Sequence, residues 1–209
     1  MIDILYFIIV LAYISLALEL SLAHVPSVAS NFTISRSNNN ITSVYSEKYQ
    51  WIFHLHPALK ILVFWLPLFG VYLVFLLPFL VMFGSTDFYF PQVFRGSEST
   101  VLLGIACIVI GRLITLKAVF TIRKKNAQTE HNYSLHTDSV FSRSRNPIQI
   151  GMYLFYAGIF ISIPSVYLLI GLIYYIAYMH IKIAMEEDFL TNKYGSEYQL
   201  YLKNTRRYL

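Results

Sequence analysis

The sequence predicts an all-α integral membrane helical bundle of about five transmembrane helices, with a C-terminal helical hairpin and a short interfacial helix. Three observations carry that reading. Of the 209 residues 56% are hydrophobic and only 13% charged, and the mean hydropathy is +0.55, too apolar for an ordinary soluble domain. Apolar runs of about 20 residues recur, the length at which a helix crosses roughly 30 Å of hydrocarbon. Between them lie polar stretches that hold nearly all of the Lys and Arg. One membrane domain is expected over 1–209, with three spans and their loops in 1–122 and a linker, a hairpin and a cytoplasmic helix in 123–209.

The net charge of +5 comes from 16 Lys and Arg against 11 Asp and Glu. In so apolar a chain, such an excess reports orientation before it reports a nucleic-acid partner. No basic-aromatic DNA or RNA motif accompanies it. The single cysteine, Cys107, excludes an intramolecular disulfide and sits in an apolar run as a small packing residue. No metal is expected.

Residues 4–23 make the first span. They have no basic segment before them and no small-residue cleavage site, so a retained helix is expected and not a signal peptide. Glu19, its one internal charge, either reaches the headgroups from near the inner end or faces the bundle and pairs with a cation. Residues 24–57 turn to Ser, Asn and Thr and include Ser37, Asn38, Asn39 and Asn40 in a row, which cannot span a bilayer. Tyr45, Tyr49, Trp51 and Phe53 favour headgroup depth, so the second half of this loop is expected along the surface. Asn31 and Asn40 open glycosylation patterns that go unused if the loop is cytoplasmic.

The second span, 59–83, contains Pro67 and Pro78, whose bends either open space for a ligand or, the simpler reading, fit the helix to its neighbours. A loop at 84–99 follows with Arg95 as its only basic residue. In the third span, from 100 to about 122, Gly104, Cys107 and Gly111 let helix backbones approach closely. Arg112 and Lys117 interrupt it. The simpler reading has both cations snorkel to phosphates, because Arg123, Lys124 and Lys125 follow; the other has Arg112 project into a polar chamber. Residues 148–163 and 166–185 flank Pro164 and Ser165 as two further spans joined by a tight turn. The Lys and Arg count then places the N-terminus outside and the C-terminus in the cytoplasm of a multi-pass protein.

Gly195 is placed to end the helix that carries Glu186 and Glu187, and Ser196 with Gln199 fits a capping box that opens a last short helix. Tyr194, Tyr198 and Tyr201 share one helical face. Either they rest on the headgroups, steered there by Lys203, Arg206 and Arg207, or they wall a pocket.

Two stretches carry the functional signal. Residues 145–151 read Arg-Asn-Pro-Ile-Gln-Ile-Gly, and 186–201 read Glu-Glu-Asp-Phe-Leu-Thr-Asn-Lys-Tyr-Gly-Ser-Glu-Tyr-Gln-Leu-Tyr. A hairpin between them brings Arg145 and the two acids to one membrane face. Together they resemble the isoprenylcysteine carboxyl methyltransferase and phospholipid methyltransferase superfamily, whose pattern is R-H/N-P-x-Y-x-G, a hairpin, then E-E-x-x-L-x-x-x-F-G-x-x-Y-x-x-Y. Gln149 stands where that family usually has Tyr. Residues 135–141, Leu-His-Thr-Asp-Ser-Val-Phe, resemble the family's L-V-T-x-G-P-F, with Ser139 and Val140 in place of Gly and Pro.

The resemblance implies a membrane enzyme that moves a methyl group from S-adenosyl-L-methionine to a lipophilic acceptor, with its cofactor pocket at the cytoplasmic end of the hairpin. Carried over position by position, it implies cofactor contacts for Leu135, Thr137, Asn146, Pro147, Gln149, Gly151, Glu186 and Tyr198. The reacting groups would be managed by Arg145 and Glu187. Membrane lipids and a lipid or prenylated small molecule or peptide are the implied partners. The carboxylate of an isoprenylcysteine-like substrate comes first; the alternative is the amine of a phospholipid.

Methyl transfer needs little covalent help, so a carboxylate for the cationic donor and an Arg for an anionic acceptor suffice. No G-x-G-x-x-G is present, so a cofactor site has to be built among membrane helices. A carboxylate acceptor is already ionised near pH 7 and needs no base. An amine needs one, and Glu187 or His180, seven residues earlier on the same helical face, is nearest. Three other readings stand beside the methyltransferase: a sterol-reductase-like oxidoreductase, a non-catalytic bundle that binds a lipid or partner, and an Arg145–Glu187 pair that only fixes the hairpin ends.

Overall fold

The computed structural model describes residues 2–22, 46–56, 58–59, 76, 91–128, 135 and 137–209. Among them the fold is all-helical and contains no strand. The helices are α1 (Ile2–Leu22), α2 (Glu47–Phe53), α3 (Glu98–Gln128), α4 (Pro147–Ser162), α5 (Val166–Tyr194) and α6 (Ser196–Asn204), with a 3-10 turn at Ser139–Ser142 before α4. Two stretches, Glu98–Lys124 and Val166–Tyr194, are long and apolar enough to cross a membrane, and two shorter apolar helices accompany them. The span expected at 59–83, apart from residues 59 and 76, with its prolines, the Asn31 and Asn40 patterns and the Glu19 side chain lie outside the described residues.

The α3–α4 contact is made by backbone. A Cβ added at Gly111 would fall 2.5 Å from the Gly151 carbonyl oxygen, and one at Gly158 would fall 2.6 Å from that of Gly104. The two helices therefore touch along glycines, the geometry that small residues permit when hydrocarbon solvent gives no hydrophobic drive. The α4–α5 contact is instead filled by aromatic rings: Tyr156 meets Tyr175 edge-on at 4.7 Å between centroids, and Tyr153 meets Tyr175 at 5.8 Å. Leu5, Ile9, Ala12 and Leu16 bury one stripe of α1 at helical spacing, beside Ile108, Phe155, Ile159 and Leu168.

Arg112 differs from the snorkelling expectation. It is only 5% exposed, and its Nε donates to Ser15 Oγ on α1 at 3.0 Å, with Met152 Sδ at 4.0 Å from Nη1. The reason is helical phase: Gly111 is pressed against α4, so the next residue, turned by about 100°, faces the junction of α1, α3 and α4. Lys117 is exposed.

The loop ends of the helices are sorted by hydrogen bonds. Val93 N–H donates to Pro164 O at 2.7 Å and Val166 N–H to Pro91 O at 2.9 Å, so the approach to α3 and the α4–α5 turn share one end. Ser165 Oγ accepts from Tyr167 N–H and caps α5. At the opposite end Ser46 N–H donates to Asp188 Oδ2 at 2.9 Å, which docks α2 beside the exit of α5. Gly195 ends α5 at φ +55, as the sequence indicates, but the capping box is absent. With only one residue between the helices, Gly195 takes the N-cap position and Ser196 is already helical.

Candidate functional site

The segment leading into α4 is wound by the 3-10 turn, and Ser139 within it has φ +58, in the left-handed region that favours glycine. Phe141 points inward, and its carbonyl accepts the Tyr201 hydroxyl at 2.7 Å. Pro147 then opens α4 at its first position, where a missing N–H costs nothing. Arg145 and Asn146 are thereby held between the start of α4 and residues 205–207, which run back across the site after α6.

Arg145 is anchored throughout its length. Its N–H donates to Arg206 O at 2.9 Å and its Nη1 to Leu202 O and Thr205 O, both at 3.0 Å. Its Nη2 lies 3.0 Å from Glu187 Oε1. Glu187 is 9% exposed, and its other oxygen, Oε2, accepts from Nη2 of Arg207. That bond raises the Arg207 guanidinium pKa further above its ordinary value. Asn146 Nδ2 and Ser144 Oγ both donate to Arg207 O, at 3.1 and 3.3 Å. Beneath this layer Tyr198 and Tyr201 are buried with centroids 5.9 Å apart. Burial raises the Tyr198 hydroxyl, with the negative Glu187 adding to it, and pushes Tyr201 up to about 12.

The expected site residues divide. Arg145, Asn146 and Glu187 converge, Tyr198 packs close enough to feel both charges, and Gln149 Oε1 accepts the Tyr175 hydroxyl at 3.1 Å across the α4–α5 groove. Pro147 is buried at the helix start. Gly151 faces α3: a Cβ there would meet the Gly111 carbonyl at 2.5 Å, so this glycine serves helix packing. Glu186 presents accessible surface on another face of α5 although packed atoms crowd it, and it has Lys182 one turn earlier as an opposite charge. Leu135 is half-buried and Thr137 exposed on the approach to the 3-10 turn.

Sequence reasoning missed Arg207, Ser144 and the course of residues 205–208. The adjacent Arg206 and Arg207 offered a signal, but a basic pair near a membrane reads equally well as a headgroup contact. His180 also acquires partners: Nδ1 lies 3.2 Å from the Tyr208 hydroxyl and Nε2 3.5 Å from Arg207 Nη1. The Tyr208 ring rests 5.9 Å from that of Tyr153.

Two buried polar atoms in this cluster lack hydrogen bonds among the described residues, Glu187 Oε1 and Arg145 Nε. The 3.0 Å approach of Arg145 Nη2 to Glu187 Oε1 is thus an ionic contact that leaves the oxygen without an aligned donor. A carboxylate oxygen wanting a donor beside a guanidinium wanting an acceptor suits a ligand that brings both, such as an amino-acid ammonium and carboxylate.

Residues 99–197 match the family model described as phospholipid methyltransferase. No curated protein and no solved structure matches the chain significantly. The matched region takes in α3, α4, α5 and the first turn of α6, and hence Arg145, Asn146, Glu187 and the hairpin that unites them. The family matched over these residues is part of the isoprenylcysteine carboxyl methyltransferase and phospholipid methyltransferase superfamily of membrane proteins, and α3 to the start of α6 is similar to it.

Proposed function

We propose that the protein is an S-adenosyl-L-methionine-dependent methyltransferase acting on a lipophilic acceptor at the end of the bundle where α5 leaves the membrane. The observation that carries this reading is the buried Glu187, flanked by two guanidiniums yet left with one oxygen lacking an aligned donor. S-adenosylmethionine supplies a methyl group on a cationic sulfur, bonded in a molecule that also bears an amino-acid ammonium and carboxylate. Glu187 Oε1 offers the ammonium an acceptor, and Arg145 Nε offers the carboxylate a donor. Asn146 and Tyr198 complete the wall on either side. Because Arg145 is held by Leu202 O and Thr205 O, its position is set before any ligand arrives, which is what electrostatic catalysis requires. The family description favours a phospholipid acceptor; the carboxylate of an isoprenylcysteine-like molecule is the second acceptor class, favoured by the positive charge beside Glu187.

The test is a thermal-shift measurement on detergent-solubilised protein with S-adenosylhomocysteine, followed by methyl transfer from labelled S-adenosylmethionine to phosphatidylethanolamine or N-acetyl-S-farnesylcysteine. A ligand at a hundred times its Kd stabilises by about 2.7 kcal/mol, a readily measured rise in Tm. Glu187→Gln is expected to abolish both the shift and the transfer. A wild-type protein indifferent to the cofactor product, or a Glu187→Gln variant that still transfers methyl, refutes the assignment.

A further inference from the structure

We infer that Arg207, carried by the segment after α6 and set between Glu187 and His180, is the anion-binding residue for the acceptor, taking its phosphodiester or carboxylate oxygens. This deepens the methyltransferase reading and rests on it.

Charge balance is the first argument. Glu187 is one carboxylate between two guanidiniums, so the cluster keeps one positive charge in surplus. Lys182 and Glu186, one turn apart on α5, offset each other. A surplus cation beside a methyl-transfer site repels a protonated amine and attracts an oxyanion.

The two guanidiniums are not equivalent. Arg145 is 12% exposed in its side chain and bonded to two main-chain carbonyls, and hence is fixed. Arg207 is 31% exposed and makes two side-chain polar contacts among the described residues, one of them the long 3.5 Å approach to His180 Nε2. Of its five N–H groups, three have no partner among the described residues, and they form part of the planar fork that matches a phosphate or carboxylate. Its backbone is nonetheless held, because Asn146 and Ser144 both donate to its carbonyl. A fixed backbone with an accessible, partly free guanidinium is the arrangement of a ligand-binding arginine.

Position completes the case. His180 lies seven residues before Glu187, about 10 Å along α5 toward the hydrocarbon. Arg207 touches both, so its guanidinium lies between the buried carboxylate and the membrane side, where a lipid's anionic group would lie while its chains stay in the bilayer. For Arg207 to donate to His180 Nε2 the imidazole must be neutral, with its proton on Nδ1 toward Tyr208.

Equilibrium binding tests this without turnover. Wild-type protein, Arg207→Gln and Arg207→Lys, each saturated with S-adenosylhomocysteine, are titrated with phosphatidylethanolamine, N-acetyl-S-farnesylcysteine and the uncharged methyl ester of the latter. Arg207→Gln is expected to weaken the anionic acceptor that wild type binds by about ten- to a hundredfold, the worth of a charged hydrogen bond. The methyl ester should bind both alike, Arg207→Lys should recover part of the loss, and the thermal shift with S-adenosylhomocysteine should persist. Which anionic ligand binds wild type identifies the source of the oxyanion. If Arg207→Gln loses the cofactor-product shift while acceptor binding is unchanged, Arg207 only positions Glu187 and the inference is wrong. Equal weakening of the methyl ester, or binding of neither acceptor by wild type, also overturns it. A wild-type protein with no response to S-adenosylhomocysteine instead removes the methyltransferase reading beneath.

Discussion

At the scale of single residues, Ser139 shows what a departure from a family pattern costs. The family's glycine position has φ +58 here, and a serine holds it, a conformation that costs an L-residue about 1 kcal/mol or more. Ser139→Gly relieves the strain but frees the unfolded chain, so a net gain of about 0.5 kcal/mol is expected. Thermal unfolding in detergent should show a small rise in Tm; a fall would mean that the Ser139 side chain contributes more than its backbone costs. The family motif marked this position as a departure, and the left-handed backbone there is a finding of the structure. What the motif could not predict was the use of each side chain. Arg145 and Glu187 meet as expected, yet Gly151 serves the α3–α4 contact, and Glu186 points elsewhere because the adjacent residue on a helix is turned by about 100°. Arg207 was invisible because hydrogen bonds from Ser144 and Asn146, more than 60 positions away, decide where it sits.

At the scale of elements, the site depends on two unlike contacts. Helices α3 and α4 meet backbone to backbone, so Gly151→Val would drive side-chain carbon into the Gly111 carbonyl and into Thr115 on α3. A loss of about 3 kcal/mol is expected, at the upper end of overpacking costs, with cofactor-product binding falling in parallel because α4 carries Asn146 at its cap. Gly151→Val protein that unfolds at the wild-type temperature would show that α3 and α4 are free to separate. The second contact is α6 against the 3-10 turn, through buried Tyr198 and Tyr201. Burial raises the Tyr201 hydroxyl pKa to about 12, and that of Tyr198 is raised too, so the folded state prefers neutral phenols. Their contribution is therefore intact below the ordinary phenol pKa of about 10 and is lost as pH climbs through about 12. Tyrosinate absorbance should show a late-titrating class that shrinks in Tyr201→Phe, and α6 should undock across that alkaline window. Simultaneous titration of all tyrosines near the ordinary value would contradict the buried docking. The helical face of Tyr194, Tyr198 and Tyr201 was legible in the spacing; whether it met headgroups or protein was not, since both partners accept an amphipathic tyrosine.

At the scale of the whole molecule, the helix ends separate into two sets, and this separation makes the orientation testable. Residues 91–93 bond to the α4–α5 turn at 164–166 at one end, while Ser46, the exit of α5, α6 and the Arg145 cluster gather at the other. The sequence places nearly all Lys and Arg on that second side, so the proposed topology has the site in the cytoplasm and residues 91–99 outside. Whatever the number of spans, the two ends are physically distinct. A protein with Cys107 replaced by Ala and a new cysteine at either Ser97 or Lys203, both exposed, separates the alternatives. In intact cells a membrane-impermeant maleimide is expected to label the Ser97→Cys protein directly and the Lys203→Cys protein only after permeabilisation. Labelling of both before permeabilisation would mean that the bundle does not traverse the membrane, and the reverse order would put the charged cluster, and any cofactor it binds, on the outer face, where a cytosolic methyl donor could not reach it.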